Sequence, residues 1–406
     1  MRKQLTFSIL ILFFIVLGTI LFVFYGRGYR LDLGQGSPKV SKTGLLVTTS
    51  VPDGAQVFIN GNLTTATNNT LDLTPGEYTV KINKEGYFPW EKKMRVEKEL
   101  VTKADALLLP LAPKLESITT LGADGPVLDP SGIKIAYKVA SQSARSNGIY
   151  VYDMNARSVL SLQTAAKQLT DDTADIFSTA DLSWTPDGES VIATIAGELG
   201  PVTYLLPANQ FTQSPQNVTA TLPSLQTVWQ TDRVEKAASQ VVGLKSQLKK
   251  VISDNFEIIS WSPDDTKILY VASESAEIPF IIQPRLVGVD TLREVRSIKK
   301  GGVYVYDIRE DRNTKIIEPD VENCKEEELA ACNPEVLWFP DSEHVLYVKD
   351  AQIHIMEFDG TNDTVVYAGP FINGFVFPWP NGSKLVILTD LNNRSILPNL
   401  YTVSLK

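Results

Sequence analysis

Hydrophobic positions follow three distinct patterns along the chain. From Leu5 to Tyr25 the residues read LTFSILILFFIVLGTILFVFY with no charge. A helix of about twenty such residues, rising 1.5 Å each, spans the roughly 30 Å hydrocarbon core of a bilayer. A secretory signal has a shorter apolar core and small residues at a cleavage site, whereas here Gly26-Arg27-Gly28-Tyr29-Arg30 follows. The pattern predicts an uncleaved signal anchor over 1–26. Arg2 and Lys3 precede it and Arg27 and Arg30 follow it, so flanking charge biases orientation only slightly.

After a Gly- and Ser-containing polar stretch read as a flexible stalk (27–43), the pattern changes to alternation. Leu45–Gly61 alternates apolar and polar residues on both sides of Val51-Pro52-Asp53-Gly54 and reads as strand, tight turn, strand. Proline presets one turn dihedral, and Gly54 accepts positive φ. A second such pair flanks Thr74-Pro75-Gly76, and Trp90–Val96 and Val101–Leu109 are further strand candidates. Together they predict a small β-sandwich over 44–112.

The third pattern is a degenerate repeat. Val127–Tyr137, Leu182–Ala193, Ile259–Tyr270, Val336–Tyr347 and Val376–Ile387 each place an apolar strand, a Pro-Asp-Gly-like turn and a second apolar strand in that order. Asp265 and Ser342 replace the glycine in two copies, so strained or differently shaped turns are expected there. The second strand of each copy is apolar on both faces, as in Ile268-Leu269-Tyr270-Val271, and must be covered on both sides. Four-stranded sheets stacked around an axis, as in a β-propeller, provide that cover. The turn prolines fall at 130, 186, 263, 340 and 380, against a period of about 40–45 for a compact blade, so several blades carry insertions. One insertion, Thr231–Ile252, has apolar residues at helical spacing and a capping-box pair, Asp232 and Glu235. Its Lys245, Lys249 and Lys250 read as a solvated face. Leu115–Leu121 is expected to pair near Leu400–Leu405 and close the ring. Five copies imply five blades, or six if one around Tyr204–Val228 has lost its motif.

Composition narrows function by exclusion. The 406 residues carry Lys+Arg 38 against Asp+Glu 47, a net charge of −9, which leaves no basic surplus for nucleic acid. A core of this size needs no metal or disulfide staple. The only two histidines, His344 and His354, argue against a His-based triad or a zinc centre. Asp129, Asp187, Asp264 and Asp341, read as recurring at matching repeat positions, invite comparison with paired glycosidase carboxylates, but turn capping explains the recurrence better. Trp184, Trp261 and Trp338 precede the turns and read as packing residues. Cys324 and Cys332, in CKEEELAAC, are a candidate local disulfide in an exported domain. No catalytic, cofactor or metal residues are assigned.

Two resemblances add to this reading. Pro52-Asp53-Gly54-Ala55, Val57-Phe58-Ile59-Asn60-Gly61, Pro75-Gly76-x-Tyr78-x-Val80 and Gly86-Tyr87 resemble, in order and spacing, the PEGA domain, which implies an envelope-facing β module with no activity of its own. Trp261–Tyr270 and Trp184–Ala193 resemble the propeller repeat of TolB-type (WD-repeat-like) proteins, over about 115–406. The expected protein is therefore mainly β: a transmembrane helix, a PEGA-type sandwich, then a five- or six-bladed propeller (113–406) with a helical insertion at about 231–252. The implied function is a non-enzymatic, single-pass binding or scaffold protein of the cell envelope. Its domains would lie outside the membrane and a propeller face would bind a protein or cell-wall glycan. A carbohydrate-active propeller enzyme, or an accessory subunit of an envelope transport or sensory complex, is the alternative.

Overall fold

The computed structural model describes residues 2–26, 29–32, 39–155, 165–286, 294–318, 334–393 and 397–406. The chain divides into two compact units, one of residues 1–109 with 282–293 and one of residues 110–281 with 294–406. Cys324 and Cys332 lie outside the described residues, and so does the proposed bridge between them.

The first unit begins with helix α1 (Arg2–Gly26). Its side chains are described at Leu10–Ile20, Phe22 and Val23, and all of these are exposed. That described stretch is shorter than a bilayer, and among the described residues no helix is long and apolar enough to cross a membrane. The stalk is not featureless. Tyr29–Asp32 pairs antiparallel with Lys39–Lys42, a short ladder that the Gly and Ser content had masked.

The β module is a sandwich of two sheets. One holds Asn69–Leu73, Gly44–Val51 and Val101–Leu107, and the other Asn62–Ala66, Gln56–Ile59, Gly76–Asn83 and Trp90–Val96. Each strand–turn–strand unit expected as a hairpin instead passes from one sheet to the other. Gly44–Val51 pairs with Asn69–Leu73 and, in parallel, with Val101–Leu107, so the Pro52-Asp53-Gly54 turn is a corner between layers. Gly54 takes φ +69°, as expected. The reason for crossing is burial: Leu46, Val57, Val80, Ile82, Trp90 and Val96 converge from both sheets into one core. A flat hairpin would leave that face wet. The corner is held by a buried hydroxyl, with Thr67 Oγ1 accepting from Ser50 Oγ at 2.9 Å and from the Ala55 amide at 3.0 Å.

Among the described residues, the second unit contains five four-stranded antiparallel sheets. The first is Asp124–Leu128, Lys134–Val139, Gly148–Asp153 and Ala166–Asp171. The second is Asp181–Trp184, Ser190–Gly197, Gly200–Pro207 and Gln216–Asn217. The third is Phe256–Trp261, Lys267–Ala272, Val303–Asp307 and Arg312–Ile317. The fourth is Val336–Trp338, His344–Lys349, Gln352–Glu357 and Thr364–Tyr367. The fifth is Val376–Pro378, Lys384–Thr389 and Asn399–Ser404, completed by Leu115–Ser117 from before the first sheet. That last pairing joins the two ends as expected, with Leu115 opposite Val403. The segment considered for a sixth copy contributes the third and fourth strands of the second sheet and the start of a helix.

Neighbouring sheets share cores. Ala136, Ile149 and Val151 of the first pack with Val191, Ala193 and Leu206 of the second. Ile135 and Tyr137 meet Val386, Leu388 and Leu400 of the fifth. Leu269, Val271 and Val305 of the third meet Val336, Trp338 and Val345 of the fourth. Double cover explains the doubly apolar strands, and Lys267–Ala272 is buried at every position. Ser190–Gly197 is the exception, alternating between half-buried and buried as far as Ile195 and exposed at its last two residues. The second and third sheets are separated in sequence by a helical pair, α2 (Leu222–Val242) and α3 (Ser246–Asn255). The expected single helix starts at Leu222, nearly three turns before Asp232, so Asp232 and Glu235 lie mid-helix and not at a cap, and it breaks at Gly243. Of the two, α3 buries Leu248, Val251 and Ile252 against the third sheet, whereas α2 buries none. Lys245 and Lys250 are exposed, as expected of a solvated face, whereas Lys249 acts as a brace: its Nζ donates to the Val242 carbonyl at 2.8 Å at the end of α2, where a cation also complements the helix dipole.

Candidate functional site

The five repeat turns are one structure used five times. In each, the residue before the proline donates its amide to the carbonyl five residues on, and its own carbonyl accepts the amide three residues on. The first bond joins Asp129 to Lys134, Thr185 to Ser190, Ser262 to Lys267, Phe339 to His344 and Trp379 to Lys384, at 2.9–3.0 Å. The second is donated by Gly132, Gly188, Asp265, Ser342 and Gly382, at 2.8–3.1 Å. All five donors have positive φ, between +54° and +70°. Asp265 and Ser342 therefore adopt the glycine conformation; the turns are strained there but keep the common shape.

What stands next to each turn explains these two departures. A Cβ on Gly188 would lie 3.2 Å from Asp129 Oδ2, and one on Gly382 only 2.8 Å from the Phe339 ring, so each of these glycines lies against the turn of the preceding sheet. Ser342 occupies the same place on the fourth turn and uses its side chain, its Oγ accepting the Asp264 amide at 3.1 Å. Asp265 has a different neighbour. Its Oδ1 accepts Gln240 Nε2 of α2 at 2.8 Å.

The turn carboxylates cap their own backbone. Asp187, Asp264 and Asp341 accept the amides of Glu189, Thr266 and Glu343 at 2.9–3.2 Å. Asp129 does not hold the matching position: it precedes the proline, where Thr185 and Ser262 stand. From there it accepts the Ile133 and Lys134 amides at 2.7 and 2.6 Å, just as Ser262 Oγ accepts those of Thr266 and Lys267. The shared signal is a side-chain oxygen within the turn, not a fixed aspartate. Partial burial would raise the pKa of Asp264, but bonds from Ser262 and Thr266 outweigh it and hold the carboxyl at about 2. These groups are occupied as caps, which is not the arrangement of a free acid and base pair.

The two histidines are also engaged. His344, 8% exposed, lies 2.7 Å through Nδ1 from Asp341 Oδ2. Burial lowers the pKa of such a ring, yet the bond to Asp341 and the charges of Asp341, Glu357 and Glu343 raise it overall. His354 stacks on Tyr347 at 4.8 Å and shares Asp363 with it. Among the described residues no group of three or more His, Cys, Asp or Glu side chains could hold a metal.

At the turn end of the sheets lies a cavity of about 820 Å³. Its walls are repeat residues: Pro130, Pro263, Pro340 and Pro380 from four turns, Pro378 beside the last, and the indoles of Trp261 and Trp338. Lys236 and Gln240 of α2 complete it. Trp184 and Trp338 behave as predicted packing residues, their indoles donating to the Val127 and Ser260 carbonyls of the preceding sheet at 3.0 and 3.5 Å. Trp261 makes no such bond; half-buried, it packs against the core of the third sheet and α3, as predicted, and borders the cavity as Trp338 does. That these packing residues also line a cavity was not legible in the sequence.

The PEGA domain family matches residues 43–111. No curated relative matches the chain. Among solved structures it is similar to a putative TolB from Agrobacterium tumefaciens, at 14% identity and TM-score 0.22, over 69% of this chain and 77% of that one. TolB from Acinetobacter baumannii is similar at 14% identity and TM-score 0.24, over 80% of this chain and 59% of that one. The β-propeller domain of the Trilobed protease from Pyrococcus furiosus is similar at 13% identity and TM-score 0.20, over 89% and 96%. Residues 43–111 are a PEGA domain, followed by a β-propeller-like array of sheets.

Proposed function

We propose that this chain is a membrane-tethered, extracytoplasmic binding protein that receives an envelope protein or cell-wall glycan in the proline-lined cavity. The observation that carries the reading is the cavity itself. A volume of about 820 Å³ is of the size of ligand sites, which combine apolar walls with a few polar groups. Its prolines lose no conformational entropy on contact, and its one cation, Lys236, stands on a separate element. Asp129, which lines it, and Asp264 and Asp341 of the flanking turns are bound as caps, and Asp265 accepts from Gln240, which favours binding over glycosidic chemistry.

The tether rests on α1. Leu10, Phe13, Phe14 and Ile15 are all more than half exposed, and each such side chain gains about 1.5–3 kcal/mol on leaving water. The uncharged run Leu5–Tyr25 extends that surface to the length of a bilayer. A cysteine introduced between residues 27 and 43 is expected to react with a membrane-impermeant maleimide on intact cells. Protection until lysis would place the domains in the cytoplasm. For the cavity, crosslinking in intact cells followed by purification is expected to recover one major partner or glycan, reduced at least fivefold by Trp261→Ala. Equal recovery by the variant, or glycan turnover by the purified chain, would overturn the binding reading.

A further inference from the structure

Helix α2 is a 21-residue helix with no buried side chain. Helices in proteins are held mostly by tertiary packing, so with no buried side chain its position depends on few anchors. Leu222, Leu225, Trp229, Lys236 and Gln240 recur at helical spacing. Leu222, Leu225, Trp229 and Gln240 are half-buried, and Lys236 and Gln240, four residues apart, line the cavity. The other side-chain hydrogen bonds made by α2 residues stay within the helix, as from Thr227, Thr231 and Ser239. Gln240 to Asp265 is, among the described residues, the one side-chain bond from α2 to a repeat turn. At its C-terminal end Gly243, with open space where a Cβ would be, leads into the firmly packed α3.

Asp265 ties these facts together. It holds φ +54° at a position where three other turns use glycine, a conformation that disfavours a side chain by about 1 kcal/mol. Ser342, at the same place in the fourth turn, bonds to the neighbouring turn, whereas the Asp265 carboxylate accepts from α2. The strained residue has its side chain on the helix instead.

We infer that α2 is a gate on the cavity, latched by the Gln240–Asp265 hydrogen bond and hinged at Gly243. With the latch closed, Lys236 and Gln240 form part of the wall; with it open, the helix leaves the mouth and the cavity is exposed. The inference rests on the binding reading only for what passes the gate, and its test uses no ligand.

Hydrogen exchange on the full chain in detergent compares the wild type with Asp265→Gly, Asp265→Asn and Gln240→Ala. Asp265→Gly supplies the residue that three other turns carry and is expected to fold. It should speed exchange across residues 222–242 at least fivefold and leave 246–255 unchanged. Gln240→Ala should do the same, while Asp265→Asn, which keeps an acceptor oxygen and tolerates positive φ, should match the wild type. In parallel, a thiol placed in the wall by Ser260→Cys should label at least fivefold faster in the Asp265→Gly background than in the Asp265→Asn one. Unchanged exchange in α2 on latch removal, α2 and α3 opening together, or equal labelling of the thiol would each overturn the gate. None of these outcomes depends on whether Trp261→Ala loses its partner.

Discussion

Gly382 and Asp265 share a backbone conformation but not a neighbour, and substitution should separate them. Gly382→Ala sets a Cβ 2.8 Å from the buried Phe339 ring at φ +65°, so strain and overlap should together cost about 2 kcal/mol, read as a lower midpoint in urea. Asp265→Gly removes strain and one exposed hydrogen bond, so global stability should stay within about 1 kcal/mol of the wild type. His344 adds a pH-dependent contribution. Its pKa is raised in the fold, so its stabilisation is full below the unfolded value near 6.5 and fades as pH rises through the folded value. Asp341, despite burial, is lowered by its bond to His344, so its share is present above about pH 4 and fades in acid. His344→Leu should therefore be most costly near pH 5, by about 1–2 kcal/mol for a partly exposed pair, and less so at pH 8. Chemical denaturation at the two pH values checks this; equal losses would show that the ion pair is not the cause. The turn chemistry at this scale was legible, because Pro, Asp and Gly each act on their own backbone. The identity of the atom beside Gly188, Ser342 and Gly382 was not, since it comes from another repeat up to 78 residues away.

The two inserted helices show how an element's role depends on what it packs against. Both have apolar residues at helical spacing, but α3 lies on the third sheet and α2 does not. Leu248→Ala should cost about 2–4 kcal/mol, whereas Val234→Ala, at an exposed site on α2, should stay within about 0.5 kcal/mol. Thermal denaturation of both variants tests the contrast, and equal losses would place α2 in the core. The PEGA turns carry the same lesson. Alternation identified the strands on either side of Pro52-Asp53-Gly54 and of Thr74-Pro75-Gly76 but not Asn62–Ala66, and each pair was joined to the wrong partner. Register and pairing depend on the face that is buried, which is a property of two sheets and not of one hairpin.

Across the molecule, closure of the array relies on a short strand from before the first repeat. Leu115–Ser117 pairs with Asn399–Ser404, and the Asn399 side chain locks the joint by accepting from Thr119 Oγ1 and the Gly122 amide, both at 3.0 Å. Asn399→Leu leaves these donors unpaired in a buried place and should cost about 2–3 kcal/mol, seen as early loss of exchange protection in the fifth sheet. Uniform loss over all sheets would argue against a local clasp.

The chain's own order of residues determined its strands, its five equivalent turns and its PEGA module, because dihedral preference and side-chain alternation act over a few residues. Only the tertiary structure decided which sheets the module's strands join, that the insertion is two helices of unequal burial, and that Trp261 and Trp338 border a cavity while the indoles of Trp184 and Trp338 bond to a neighbouring sheet. Those outcomes depend on contacts between residues far apart in sequence, where the free energy lies in shared burial and no local pattern records the partner.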